Sequence, residues 1–154
     1  AWAGATVPGE PLARLWHHIA VLREWRGDNH IAALVIHGLD GLDAVTFHEA
    51  ELPDPTVQRR TLGKQMVQLT RGWDDAAWEA SVDRIVARGL AERTDDGHRL
   101  TADGAALYDD LEATTDALGE AVWSAPGAAE LVARMRPLVK TILDAGVLPG
   151  TGKK

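Results

Sequence analysis

The sequence predicts a mostly helical protein built around a winged helix-turn-helix, and two patterns between Thr61 and Gly104 lead to that prediction. The first is a pair of amphipathic helical segments, LGKQMVQLT and DDAAWEASVDRIVARG, on either side of a short turn at Arg71-Gly72-Trp73. The second is ARGLAER and HRLTADG around Asp95-Asp96-Gly97, because an Asp-Gly turn between two short strands favours a tight hairpin. A hairpin directly after an amphipathic helix is typical of a wing. We therefore expect flanking helices around a winged helix-turn-helix with a small β-hairpin wing.

Composition shifts and breaker residues divide the chain into five predicted parts. These are a lead-in (1–9), a front helical block (10–55), the winged helix-turn-helix (56–104), C-terminal helices (105–146) and a tail (147–154). Pro53 and Pro55 mark the boundary before the winged helix, and Ala125-Pro126-Gly127 interrupts the C-terminal helices. The GTGKK tail is predicted to be disordered, as chain ends commonly are.

Three helices are predicted in the front block. Pro11 favours a helix start, and apolar residues at helical spacing extend this helix to Arg26, where Gly27 ends it. Asp28 is then placed to cap a second helix, IAALVIHGL, which is apolar nearly all round and is expected to be central. The third helix is predicted over 42–51, after a further candidate cap at Asp40.

The winged helix-turn-helix is predicted to pack through two apolar stripes. The helix after Thr56 places three residues on one face: Leu62, Met66 and Leu69. Asp74 is placed to cap the next helix, which ends near Arg88. The predicted buried stripe of that helix is Trp78, Val82 and Ile85.

Composition limits the function classes. The chain has 154 residues and a net charge of −7, which disfavours a dedicated nucleic-acid binder because lysine and arginine supply much of the affinity for phosphate. It has no cysteine, which excludes disulfides, thiolate metal sites and cysteine nucleophiles and favours a cytoplasmic location. No apolar run has membrane-spanning length, so no membrane partner is expected.

Three segments together resemble a known family: LWHHIAVLREWRGDNHIAALVIHGLDGL, TRGWDDAAWEASVDRIVARGL and LTADGAALYDDLEATTD. Within them, RGDNH, RGW and EATTD are not general features of winged helices. The set is similar to a largely uncharacterised actinobacterial helix-turn-helix family, over roughly Leu12 to Gly146. The resemblance implies a MarR-like winged-helix architecture, without settled activity or catalytic residues. Members usually carry a further helical N-terminal half, so it also implies that this chain is the C-terminal half, with that missing half or a second copy as partner.

A polar stretch in the front block, REWRGDNH, predicts a ligand site between this block and the winged helix. An arginine guanidinium recognises carboxylate or phosphate through paired hydrogen bonds, and histidine exchanges protons near neutral pH. Ligand pockets are mostly apolar with a few placed polar groups, and a tryptophan in a turn could form a flat wall. We expect a small molecule with an aromatic or carboxylate group to bind here, rather than DNA as the main partner. The predicted ligand-binding residues are Arg23, Arg26, Asp28, His30, His48 and Trp73.

Three alternatives remain open. First, Arg23 and Arg26 could pair with acids such as Asp28 or Asp116 and only fasten helices together. Second, the protein could be a DNA-binding MarR-like transcriptional regulator in which five arginines contact phosphate: Arg71, Arg84, Arg88, Arg93 and Arg99. Third, it could be an enzyme with His30 or His48 as the catalytic acid or base. No metal site and no cofactor are predicted, because no metal-binding histidine spacing or glycine-rich phosphate loop is present.

The helix proposed to read DNA argues against the second alternative. Its outward positions carry Asp75, Glu79 and Asp83, which would repel a groove lined with phosphate. Acids at a helix N-terminus also complement the helix dipole, so they have a structural explanation. On the long helix that follows the wing, threonines such as Thr115 are poor helix formers, which makes a specific contact plausible.

Overall fold

The computed structural model of the chain describes residues 4–57 and 61–147. Within them the chain forms helices and one two-stranded antiparallel sheet, which confirms the predicted fold class. The elements are α1 (Pro11–Ile36), α2 (Gly41–Glu49), α3 (Lys64–Arg71), α4 (Asp75–Ala87), β1 (Ala91–Thr94), β2 (Gly97–Leu100), α5 (Ala102–Trp123) and α6 (Ala128–Asp144). The chain divides into two compact units, residues 1–116 and 117–154. The predicted tail lies, except for Val147, outside the described residues.

The front block contains one long helix where we predicted two. α1 continues through Gly27 and Asp28, so Gly27 does not end a helix and Asp28 does not cap one. A glycine inside a helix costs only about 0.5–1 kcal/mol relative to alanine, which a helix of 26 residues tolerates. The chain leaves the helix at Gly38, whose φ of 67° lies in the left-handed region that favours glycine.

α4 is the best-predicted helix. Trp78, Val82 and Ile85 are buried, as the stripe predicted. Asp74 caps the helix as predicted, and its carboxylate accepts a hydrogen bond of 2.8 Å from the amide of Ala77. Because this helix is anchored on its inner face, its outer face and the following wing have fixed positions relative to α2.

α3 buries a different face from the one predicted. Val67 is buried, whereas Leu62, Met66 and Leu69 are exposed by 61%, 46% and 79%. α3 starts only at Lys64, and a shift of one residue rotates a helix face by about 100°. The predicted stripe was therefore wrong, and Leu62 precedes the helix altogether.

The wing is a hairpin with Asp95-Asp96 at its turn, as predicted. Glu51, just after α2, forms an isolated parallel bridge with the second strand. The Glu51 amide donates to the carbonyl of His98 at 3.0 Å, and the Leu100 amide donates to the carbonyl of Glu51 at 2.8 Å. The wing is therefore joined through its backbone to the end of α2.

The core of residues 1–116 comprises two clusters of buried apolar side chains. The larger consists of Ala33, Leu34, Leu39, Phe47, Ala50, Ile85, Ala91, Leu100 and Leu111. The smaller consists of Leu42, Val67, Trp78 and Val82. Only part of the second predicted helix is central, because Ile31 and Val35 are more than half exposed.

The C-terminal helices are separated where the sequence predicted. Ala125-Pro126-Gly127 lies between α5 and α6, and Gly127 has a φ of 84°. The apolar residues of α6 are exposed: Leu131, Leu138 and Ile142 by 56%, 57% and 47%. No single helix among the described residues is long and apolar enough to cross a membrane, and α1 and α2 meet that criterion only when taken together across a bend of 98°.

Candidate functional site

Two of the predicted site residues meet in the structure. His30 on α1 and His48 on α2 place their Nε2 atoms 3.1 Å apart, and the ring centroids are 5.1 Å apart. The two rings are neither fully buried nor fully exposed. Their Nε2 atoms can therefore hydrogen-bond each other at a position that solvent reaches in part.

A threonine on α5 determines which ring nitrogen of His30 carries the proton. The Thr115 hydroxyl donates to the Leu111 carbonyl at 2.7 Å, and its oxygen lies 2.9 Å from Nδ1 of His30. A hydroxyl has one proton, so this oxygen must accept from Nδ1–H of His30. Neutral His30 then carries its lone pair on Nε2, and His48 donates its Nε2 proton to it. Thr115 is fully buried, which holds this arrangement in place.

A carboxylate on α5 completes the cluster. Glu112 Oε1 lies 3.9 Å from His30 Nδ1, and Glu112 Oε2 accepts a hydrogen bond of 3.1 Å from Arg26. Arg26 also approaches Asp116 at 3.5 Å. The helix-fastening alternative for Arg26 is therefore observed. His30, His48 and Glu112 together offer one ligand atom each within 4.8 Å of one another, a group that could hold a metal ion.

A largely apolar cavity of about 600 Å³ lies between α1, α2 and α3. Its apolar lining comprises Ile31, Leu34, Val35, Leu39, Ala44, Val45, Leu62 and Val67. Its polar lining comprises His30, Asp40, His48, Glu49 and Arg71. In the part of the chain that the structure describes, the Arg71 guanidinium has no hydrogen-bond or ion-pair partner.

The other predicted ligand-binding residues do not line this cavity. Arg23 pairs with the neighbouring Glu24, and Asp28 is exposed on α1. Trp73 is partly buried and packs against the smaller core cluster. Arg71 was predicted to contact DNA instead, and Glu112 was not among the predicted site residues, because a single sequence carries no signal for it.

Four of the five arginines predicted to contact DNA already have intramolecular partners. Those partners are Asp43 for Arg84, the carbonyls of His37 and Gly38 for Arg88, Glu79 and Asp83 for Arg93, and Glu51 for Arg99. Lys64 pairs with Asp75 and shares Glu79 with Arg93, with distances of 2.9 Å from its Nζ to both acids. The outer face of α4 and the wing therefore carries charges that are largely neutralised within the chain.

These ion pairs also shift the pKa values of the side chains that they join. Hydrogen bonds from Arg93 and then Lys64 hold the pKa of Glu79 below its usual range. The hydrogen bonds that Arg93 donates to Asp83 and Glu79 raise the pKa of Arg93. Both groups are consequently charged at neutral pH and stay paired there.

Solved structures with the same fold include MarR-family proteins. A MarR-family transcriptional regulator from Rhodococcus sp. RHA1 is 22% identical, with a TM-score of 0.56 over 88% of this chain and 97% of that chain. CouR from Rhodococcus jostii RHA1, solved with p-coumaroyl-CoA bound, is 22% identical, with a TM-score of 0.55 over 88% and 95%. A MarR-family protein from Mycobacterium tuberculosis is 22% identical, with a TM-score of 0.51 over 85% and 95%.

Sequence comparison identifies the family. Comparison with curated proteins gives no match. The sequence profile HTH_67, described as a helix-turn-helix family, matches residues 1–149. That match extends over nearly the whole chain, and the MarR-like winged helix agrees with it. The chain therefore belongs to this helix-turn-helix family.

Proposed function

We propose that this protein binds a small apolar molecule with a carboxylate group in the cavity between α1, α2 and α3, and that DNA is not its main partner. The observation that carries the proposal is the unpaired guanidinium of Arg71 at the wall of an otherwise mostly apolar cavity. This guanidinium is exposed to solvent and has no protein partner among the described residues, so it can pair with an anion that enters the cavity. A bound carboxylate would supply that partner.

The dimensions and polar groups of the cavity support this ligand class. A volume of about 600 Å³ falls within the range of roughly 300–1,000 Å³ that small-molecule sites occupy. Arg71 would hold the carboxylate through paired hydrogen bonds. The His30–His48 pair would offer one further donor or acceptor, and the apolar lining would hold the aromatic or aliphatic body.

The intramolecular pairing of the other arginines also argues against DNA as the main partner. Arg84, Arg88, Arg93 and Arg99 would each have to leave an acid or a carbonyl before contacting phosphate. The fold itself is compatible with a ligand of this kind, since CouR was solved with p-coumaroyl-CoA bound.

The test is a titration that follows the intrinsic tryptophan fluorescence of the chain. A panel of arylcarboxylates, from benzoate to 4-phenylbutanoate, is compared with the matching primary amides. We expect saturable binding of at least one acid, with the amide weaker. Arg71→Ala should weaken that binding by about ten-fold or more, because a charge-assisted hydrogen bond contributes about 1.5–3 kcal/mol.

The matched control is Arg23→Ala, which removes an exposed arginine away from the cavity and should leave affinity unchanged. Circular dichroism checks that both variants are folded. Equal binding of acid and amide, or unchanged affinity in Arg71→Ala, would overturn the proposal. Tight, salt-sensitive binding of random duplex DNA with no response to the acids would favour the regulator alternative instead.

A further inference from the structure

We infer that His30, His48 and Glu112 form a binding site for a divalent zinc ion at the edge of the cavity. These three side chains belong to three different helices and come together with one ligand atom each within 4.8 Å. Imidazole nitrogens and a carboxylate are the ligands of three-residue zinc sites that keep a fourth position open. This site goes beyond the ligand-binding role, because it concerns an inorganic partner with ligands of its own.

The spacing of the two histidines already suits a metal. Zinc–nitrogen bonds of about 2.0–2.1 Å with tetrahedral angles place two ligand nitrogens roughly 3.3 Å apart. The Nε2 atoms of His30 and His48 are 3.1 Å apart. A zinc ion would therefore bridge them after only a small displacement of either ring.

The protonation state of His30 favours coordination. Its Nδ1 proton is donated to the buried Thr115 oxygen, so the Nε2 lone pair is directed at the gap between the rings. A hydrogen bond from the remote nitrogen is what orients most metal-bound histidines. In the metal-free state His48 fills the gap with its Nε2 proton. To coordinate zinc through Nε2, His48 would have to adopt the neutral tautomer that carries its proton on Nδ1.

Glu112 would supply the third ligand and the negative charge. Its Oε1 atom is 3.9 Å from Nδ1 of His30, so the carboxylate must turn toward the Nε2 atoms to reach the ion, while Oε2 is held by Arg26. Turning the carboxylate to the metal would release Arg26, but Asp116 lies 3.5 Å from the same guanidinium and keeps it paired. All three ligand residues are only partly exposed, unlike the solvated acidic groups that often cluster on surfaces.

The two imidazole ligands favour a late first-row transition metal over magnesium or calcium. Two imidazoles and one carboxylate suit zinc and other late first-row ions, whereas magnesium and calcium prefer oxygen. Because His30 and His48 also line the cavity, the fourth coordination position would open toward it. Water or an oxygen of a cavity ligand could occupy that position.

The test measures zinc binding to the full chain after EDTA treatment and dialysis. Calorimetric titration with zinc chloride should show one ion bound per chain. Cobalt(II), as a spectroscopic probe, should give the intense visible bands of a four-coordinate ion. Each of His30→Ala, His48→Ala and Glu112→Gln should weaken zinc binding by at least ten-fold. His18→Ala, which removes an exposed histidine outside the cluster, should leave it unchanged.

A further variant separates direct ligation from general loss of structure. Thr115→Val keeps the side-chain shape but removes the acceptor for His30, and should weaken zinc binding by about 10–100-fold while the fold survives. Circular dichroism is recorded for every variant. The inference is overturned if the wild-type chain binds no zinc in the titration, or if folded His30→Ala and Glu112→Gln bind it as tightly as the wild type.

Discussion

Asp43 joins two helices through one carboxylate. It accepts hydrogen bonds from Ser81 Oγ at 2.6 Å and from Arg84 Nε at 2.9 Å, both on α4. Burial of this carboxyl raises its pKa, but the hydrogen bonds from Arg84 and Ser81 lower the pKa by more. The net result is a pKa below the ordinary aspartate value, so the ionised form stabilises the folded state.

Asp43→Asn should therefore lower stability in a pH-dependent manner. A group whose pKa is depressed by folding contributes stability above its unfolded pKa of about 3.9 and loses it as pH falls through the folded value. At pH 7 we expect the free energy of unfolding to fall by about 1–2 kcal/mol, because Arg84 is partly exposed to solvent. Urea unfolding at neutral and acidic pH measures this difference.

The difference between wild type and Asp43→Asn should shrink as the pH falls below about 4. Asp109→Asn, at an exposed position on α5, is the control and should have little effect at either pH. A difference of constant size at both pH values would show that the ionised form is not what stabilises the fold.

Individual site residues differed in how well the sequence revealed them. His30 and His48 were recognisable because histidines within apolar helices are unusual enough to examine. Glu112 and Thr115 were not recognisable as partners, because they belong to α5 and meet His30 only through tertiary packing. Thr115 carried a weak local signal as a poor helix former, but nothing local indicated what it contacts.

At the scale of elements, two helical glycines differ in how much space surrounds them. Gly27 lies inside α1, and a Cβ added there would meet no atom within 4 Å. Gly104 lies near the start of α5, where a Cβ would stand 1.9 Å from the carbonyl oxygen of Leu90. The first position has free space, whereas the second is where the backbone before the wing packs directly against a helix.

Alanine at these two positions should change stability in opposite directions. Gly27→Ala should raise the free energy of unfolding by about 0.5–1 kcal/mol, because alanine loses less backbone entropy in a helix. Gly104→Ala should lower it by about 1–3 kcal/mol or more, because backbone atoms must shift to admit the methyl group. Thermal and urea unfolding of both variants measures the effect. Destabilisation by Gly27→Ala would contradict the continuous α1 helix.

The elements were predictable where local signals agreed. The Asp74 cap, the stripe of α4 and the Asp-Gly turn of the wing reinforce one another within a short stretch, and all three were confirmed. The break at Gly27 and the buried face of α3 were wrong. Glycine marks a helix end only where the backbone adopts positive φ, and eight residues are too few to fix a helix face from apolar spacing.

At the scale of the whole molecule, net charge and its internal pairing act together. The chain carries −7 overall, and the arginine that points from the wing toward α4, Arg93, is held by Glu79 at 2.7 Å and Asp83 at 2.6 Å. DNA affinity depends on cations that are free to replace the counterions of phosphate. The winged helix therefore retains its shape while lacking an exposed excess of positive charge on this face.

Removing those two acids should increase DNA affinity. The double variant Glu79→Gln/Asp83→Asn removes both carboxylates that pair with Arg93, while Lys64 keeps Asp75 as its partner, and it should bind random duplex DNA several-fold more tightly than the wild type at low salt. Fluorescence anisotropy of labelled DNA measures this, and raising the salt should abolish the gain. The control, Asp28→Asn/Asp109→Asn, changes net charge equally at exposed positions outside α4 and the wing. An equal gain in the control would mean that only overall charge matters.

The backbone bridge between Glu51 and the second wing strand couples the movement of the wing to that of α2. His48 borders the cavity, and Glu51 follows it by less than one helical turn before the chain bonds to β2. The ring of His98 also donates to the Thr46 carbonyl at 2.7 Å, so α2 and the hairpin are fastened at two points. A rotation of α2 must therefore carry the hairpin with it. A spectroscopic label at the turn of the hairpin would therefore report movements of α2 that begin at the wall of the cavity.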